Sequence, residues 1–236
     1  MANNYFNFKQ FTVWQEKSAF KVGTDGVILG AYADIADAKR ILDIGTGTGL
    51  IALMLAQRCN AEIVAIEPDP ESFLEASENF RKSHWSGRIS VVNCLLQEYS
   101  YDDRDFDLIV TNPPYFIDSL KNPDLAKANA RHNASLNHAD ILSGVRRLLR
   151  EDGKLYIILP YPEGSVFIAE AREYGFYCNR ILKVRPLPTA NIIRLVLGFS
   201  HTRTIVSEKF LTIEKGRRHE FTEEYINLTR EFYLKF

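Results

Sequence analysis

Arg40-Ile-Leu-Asp43-Ile44-Gly45-Thr-Gly47-Thr-Gly49-Leu50-Ile-Ala-Leu-Met-Leu-Ala56 runs from a short apolar segment through three spaced glycines into a second apolar segment. The reading is strand 40–44, a tight loop, and a helix over 50–56, because glycines admit the turn and the apolar runs match buried elements. Working outward, Glu62–Ile66 reads as a second strand and Asp69–Lys82 as a helix. Ile89–Val92 and Phe106–Val110 read as further strands, followed by a polar loop over about 116–136. Asn137, with Asp140 three residues on, is placed to cap a helix running to Leu149. Lys154–Leu159 comes next as a strand, then a helix near 166–174, strand-like 181–185 and 192–199, and a last strand with a terminal helix opening at Thr222. Strands alternating with helices indicate a doubly wound, mostly parallel α/β sheet with helices on both faces. Residues 1–39 break the alternation and are expected to form an extension or lid packed on the domain spanning 40–236.

Composition narrows the function classes. The 236 residues are 46% hydrophobic and 25% charged, which is globular usage rather than that of disordered or fibrous chains. The formal charge of −1 gives no global field toward nucleic acid or membrane, so either partner must be met by a local patch. Cys59, Cys94 and Cys178 are widely separated and the five histidines show no ligand spacing, so neither a disulfide scaffold nor a metal site is expected. The N-terminus lacks a secretion signal, and the apolar runs fall far short of the roughly 18 residues that span a bilayer. A soluble, cytoplasmic protein with no obligatory protein partner is expected.

The glycine loop sits where a strand turns into a helix, where backbone approaches a ligand closely and helix amides face it. A glycine turn serving only strand-to-helix packing is the plain alternative. The dinucleotide pattern G-x-G-x-x-G/A would place its third small residue at position 50, which is Leu50, so a nicotinamide dinucleotide is disfavoured. Asp43 would repel a pyrophosphate but suits a ligand bearing ammonium and sulfonium groups. Glu67 ends the second strand 24 residues later, where an acid accepts from both ribose hydroxyls. Taken alone, Glu67 reads equally well as a solvated loop acid. Together, Asp43, Gly45, Gly47, Gly49 and Glu67 point to S-adenosylmethionine.

Asn112-Pro113-Pro114-Tyr115 comes directly after the Phe106–Val110 strand, at the edge where open α/β sheets bind ligands. Two prolines remove two N–H donors and hold nearby carbonyls toward the pocket. An acceptor-rich site suits a planar exocyclic amine. The Asn112 oxygen and the Pro113 carbonyl would hold its hydrogens, reduce its conjugation and raise its nucleophilicity. Tyr115 would stack on the target base, a contact worth about 1–3 kcal/mol. The plain alternative is a rigid Pro-Pro turn with an exposed tyrosine.

Asp43-Ile-Gly-Thr-Gly-Thr-Gly49 together with Asn112-Pro-Pro-Tyr115 resembles the class I methyltransferases that modify exocyclic amines or amides. Phe8-Lys-Gln-Phe-Thr-Val-Trp-Gln15 and Phe20-Lys-Val-Gly-Thr-Asp-Gly-Val-Ile-Leu-Gly-Ala31 more narrowly resemble the bacterial enzymes that methylate the adenine beside the anticodon of a valine tRNA. The resemblance covers the whole chain, including Ala130-Arg-His132 and Leu136. It implies a seven-stranded sheet, S-adenosylmethionine as methyl donor with S-adenosylhomocysteine as product, tRNA as partner, and a segment Lys21–Asp25 closing over the cofactor, with Thr24 and Asp25 as contacts. For the N-terminal signature a structural cap is the alternative, with Gly23 and Gly26 as turns and Val27–Leu29 as core. The same chemistry on DNA adenine, rRNA guanine or a protein glutamine amide is the alternative function. One departure stands out: where many relatives carry an acid after the third strand, this chain reads Asn93-Cys94-Leu95-Leu96. The candidate RNA contacts are Lys121, Lys127 and Arg131, then Arg146, Arg147 and Arg150, then Lys215-Gly-Arg217-Arg218-His219; the first group, directly after Tyr115, is preferred.

Overall fold

The computed structural model describes residues 3–18, 20–100, 105–114 and 136–235. An N-terminal hairpin pairs β1 (Tyr5–Asn7) with β2 (Thr12–Trp14), and α1 (Thr24–Tyr32) comes after it. The alternating body runs β3 (Arg40–Ile44), α2 (Leu50–Arg58), β4 (Glu62–Ile66), α3 (Pro70–Lys82), β5 (Ile89–Val92) and β6 (Phe106–Thr111). It continues with α4 (His138–Leu148), β7 (Leu149–Pro160), α5 (Tyr161–Glu173), β8 (Tyr177–Arg185), β9 (Arg194–Ser200), β10 (Ser207–Thr212) and α6 (Glu223–Thr229).

One sheet has the order β10-β8-β9-β7-β6-β3-β4-β5, with only β9 antiparallel to its neighbours. The mostly parallel, doubly wound sheet is therefore present, with eight strands rather than seven among the described residues. The additional strand, β10, lies parallel to β8 on the outer edge. Strand order reverses at β3, which pairs with β4 on one side and β6 on the other. That is the switch point at which such sheets open a crevice beyond their carboxyl ends.

The two faces bury separate apolar layers. Val27, Ile28 and Leu29 of α1, with Leu53 and Met54 of α2, are fully buried against one face. Ile141, Leu142 and Val145 of α4, with Phe167 of α5, fill the other. Gly26 is a helical residue rather than a turn, and so is Gly30, where a Cβ would stand 2.8 Å from Met54 Sδ. These glycines let α1 lie close on α2. Asn137 and Asp140 form the expected reciprocal cap of α4, and Thr222 caps α6.

Candidate active site

The first wall of the site is the glycine loop. Gly45, Gly47 and Gly49 all have left-handed backbone, with φ of 69°, 56° and 85°. At Gly49 a Cβ would also collide with the Phe80 ring, whereas at Gly45 it would meet open space. The loop amides are turned toward β4 rather than outward: Gly45 N and Thr46 N donate to Ile66 O at 2.9 and 3.1 Å, and Gly47 N donates to Glu67 Oε2 at 2.8 Å. Glu67 Oε1 accepts from Asp69 N at 3.0 Å, so this buried carboxylate links the loop to the start of α3. Each of its oxygens has lone-pair capacity for a further donor.

Asp43 lies beneath the loop with no exposed surface. Its Oδ2 accepts from Thr46 Oγ1 at 2.6 Å, and its Oδ1 has no hydrogen-bond partner among the described residues. The Ala52 amide lies near enough to favour the ionised form but outside hydrogen-bond geometry. Burial pushes the carboxyl up to about 7; the Thr46 hydroxyl and Ala52 amide oppose the rise and the Glu67 charge adds to it. A buried carboxylate with an unmatched oxygen under an open glycine surface is complementary to a cation. The donor set therefore fits S-adenosylmethionine, with Glu67 for the ribose and negative charge beneath the loop for the cationic end. With no exposed surface, Asp43 would act on such a ligand through its field and through Thr46.

The second wall is the end of β6. Thr111 is fully buried and its Oγ1 donates to Ile44 O at 3.0 Å, fastening β6 to the residue that opens the glycine loop. Asn112, Pro113 and Pro114 thus leave the sheet beside that loop. Gly26 of α1 closes the same corner: a Cβ there would be 3.1 Å from Leu50 Cδ2 and 4.0 Å from Asn112 Nδ2. Tyr115 lies outside the described residues, as do Lys121, Lys127, Arg131 and His132.

The N-terminal segment forms the third wall. Buried Glu75 of α3 accepts from the backbone N–H groups of Glu16, Lys17 and Ser18 at 2.5–2.9 Å. Asn79 accepts from Trp14 N at 2.9 Å while its Nδ2 donates to Trp14 O and Thr48 O at 2.9 and 2.8 Å. One side chain thereby joins the N-terminal strand to the glycine loop. Asp25 Oδ2 accepts from Arg194 Nε at 2.8 Å, which ties α1 to β9, while Thr24 is exposed at the start of α1.

Comparison with known proteins fits this architecture. A methyltransferase domain model matches residues 41–138. The chain is 46% identical over 237 residues to a tRNA1(Val) (adenine(37)-N6)-methyltransferase of Bacteroides fragilis, covering all of both chains. It is 42% identical over 240 residues to the protein of that name from Trichodesmium erythraeum, again over both full lengths. The chain belongs to this methyltransferase family. A predicted O-methyltransferase from Agrobacterium tumefaciens shares the fold at 19% identity, with a TM-score of 0.66 over 88% of this chain and 96% of that one.

Within the family frame, the structure sorts the remaining sequence candidates. Arg147, itself exposed, donates to Tyr99 O and Leu96 O, Arg150 pairs with Asp107 at 2.6 Å, and Arg146 beside them on α4 is exposed. Asn93 Nδ2 donates to Glu67 O at 2.7 Å and Pro68 O at 3.1 Å, clamping the segment that carries Glu67. Leu95, half-buried, brings no charge to that position. Glu75, Asn79 and Arg194 carry no signal in the sequence; each acts across long sequence separations that leave no local pattern. No helix among the described residues is long and apolar enough to cross a membrane.

Proposed function

We propose that the protein transfers the methyl group of S-adenosylmethionine to the exocyclic amine of an adenine in tRNA, the adenine beside the anticodon of a valine tRNA. The observation that carries this reading is the Thr111–Ile44 bond, which holds Asn112-Pro113-Pro114 against the glycine loop at the switch point of the sheet. The family membership supports the substrate. S-adenosylmethionine, when bound, supplies a methyl group on a positively charged sulfur.

The chain's own residues do the rest by position and electrostatics. Asp43, Gly45, Gly47, Gly49 and Glu67 hold the cofactor, with Thr24 and Asp25 on the lid side and Asp25 kept in place by Arg194. Asn112 accepts an amine hydrogen through its side-chain oxygen, and the Pro113 carbonyl accepts the other. Pro114 fixes the turn and Tyr115 stacks on the base, offsetting the few kcal/mol of taking a base out of its stack. The amine becomes acidic once it is alkylated, so its proton leaves to water and no side chain has to act as base.

The test separates chemistry from binding. Asn112→Ala is expected to lower transfer to tRNA by about 10²–10³-fold, as for loss of a group that stabilises developing charge. Calorimetry should find S-adenosylhomocysteine binding nearly unchanged. Near wild-type turnover in this variant would remove Asn112 from the mechanism.

A further inference from the structure

The eighth strand of the sheet, β10, runs parallel to β6, so its carboxyl end lies on the same edge of the sheet as Asn112. Register fixes the placement. Thr111 is level with Ile157, Leu197, Ile181 and Glu208 on successive strands. Four strand steps at about 4.8 Å separate β6 from β10, about 19 Å in all. Thr212 stands four residues beyond Glu208, about 13 Å further toward the carboxyl edge at about 3.3 Å per residue. The segment after β10 therefore overhangs the catalytic edge at a distance greater than one nucleotide.

That segment is a built projection. Ile213 N and Glu214 N extend the pairing to Arg185 O and Pro186 O at 3.0 and 2.9 Å, and Thr222 N returns to Ile213 O at 3.0 Å. Lys215 N donates to Glu220 O, Glu220 N to Arg217 O, and His219 N to Glu214 Oε1 at 2.7 Å. His219 turns the chain in the left-handed region at φ 67°, a conformation that non-glycine residues seldom adopt. Strain of this kind persists where surrounding structure enforces it, and it gathers at functional positions. The projection carries Lys215, Arg217 and Arg218, all exposed; of the nearby acids, Glu214 accepts from His219 N, while Glu220 and, at the start of α6, Glu223 and Glu224 are exposed.

We infer that the Lys215–His219 projection is the RNA-backbone grip of this enzyme, holding stem phosphates about 20 Å from the base presented to Asn112. The inference rests on the tRNA reading above and specifies where the RNA lies: along the carboxyl edge from β6 outward over β7, β9 and β8 to β10. With a formal net charge of −1, phosphate binding must come from such a local patch. Arg147 and Arg150, on the helix-and-strand corner of α4 and β7, are engaged with Tyr99, Leu96 and Asp107.

The experiment is steady-state methylation by wild type and by Arg217→Glu/Arg218→Glu, using a full valine tRNA transcript and a short oligonucleotide containing only the anticodon loop. On the full tRNA the variant is expected to raise KM about tenfold or more and to reduce the slope of log affinity against log salt by about 1.5, the share of two phosphate contacts. On the loop oligonucleotide the two proteins should have the same kcat/KM, and calorimetry should give both the same S-adenosylhomocysteine affinity. An unchanged KM and salt slope on full tRNA overturns the inference, as does an equal loss on both substrates. No transfer to tRNA by the wild type would instead refute the functional reading itself.

Discussion

Asp43→Asn separates the stability of the free protein from its readiness for a cation. Asp43 has no exposed surface, and burial raises its carboxyl from 3.8 to about 7 in the folded state. A carboxyl raised in this way stabilises the fold most fully below pH 3.8, and that contribution is lost as pH climbs through about 7. Between pH 5 and pH 8 the loss is about 3 kcal/mol, at roughly 1.4 kcal/mol per pH unit over the part of the interval below the folded pKa. Asparagine keeps the Thr46 hydrogen bond and cannot ionise. The stability of the variant relative to wild type should therefore improve by about 3 kcal/mol from pH 5 to pH 8, or roughly 6–12 °C in Tm for a chain of this size. Differential scanning fluorimetry across that range measures it. With S-adenosylhomocysteine present, the ammonium of the ligand lowers the Asp43 pKa, so the wild-type ligand-induced shift should grow with pH and that of the variant should stay small and flat. A wild-type-to-variant difference independent of pH would show that Asp43 is not desolvated as described and would refute the reasoning.

Three further variants probe the walls of the site. Gly49→Ala forces a side chain into the left-handed region and onto Phe80, so chemical denaturation should show a loss of about 3 kcal/mol; Gly49→Ala/Phe80→Leu should recover the packing part and leave about 1–2 kcal/mol from the backbone. Glu75→Gln replaces the acceptor of three backbone N–H groups, and hydrogen exchange should show Glu16–Ser18 opening faster while the core strands keep their protection. Gly26→Leu crowds Leu50 and Asn112, so kcat should fall at least about tenfold with S-adenosylhomocysteine affinity changed much less.

The inner parallel strands were legible because they are buried on both faces and read as continuous apolar runs: Arg40–Ile44 and Glu62–Ile66 fall where the sequence places them, and so does the half-exposed edge strand Ile89–Val92. The cap at Asn137 and Asp140 was legible because both partners sit within one turn. Helix α1 was not, since Thr24–Tyr32 is apolar on nearly every side and carries glycines that read as turns until α2 is seen packing against them. The last strand before Thr222 is present as β10, but it is exposed over most of its length, so its parallel place beside β8 at the outer edge depends on pairing that no hydrophobic alternation signals. Likewise the glycine loop and Asp43 were visible in the sequence, but the outcome that Asp43 is sealed beneath the loop, with loop amides turned to Ile66 and Glu67, depends on how β3 and β4 pair.

Methyl transfer to an adenine amine of tRNA at the edge formed by β3 and β6 is open to one direct measurement. The purified protein is incubated with S-adenosylmethionine and an unmodified valine tRNA transcript, the RNA is digested, and the nucleosides are identified by mass spectrometry. The expected product is N6-methyladenosine from the position beside the anticodon, formed about 10²–10³-fold more slowly with Asn112→Ala. Label on guanosine, on DNA or on protein with none on this adenine would contradict it.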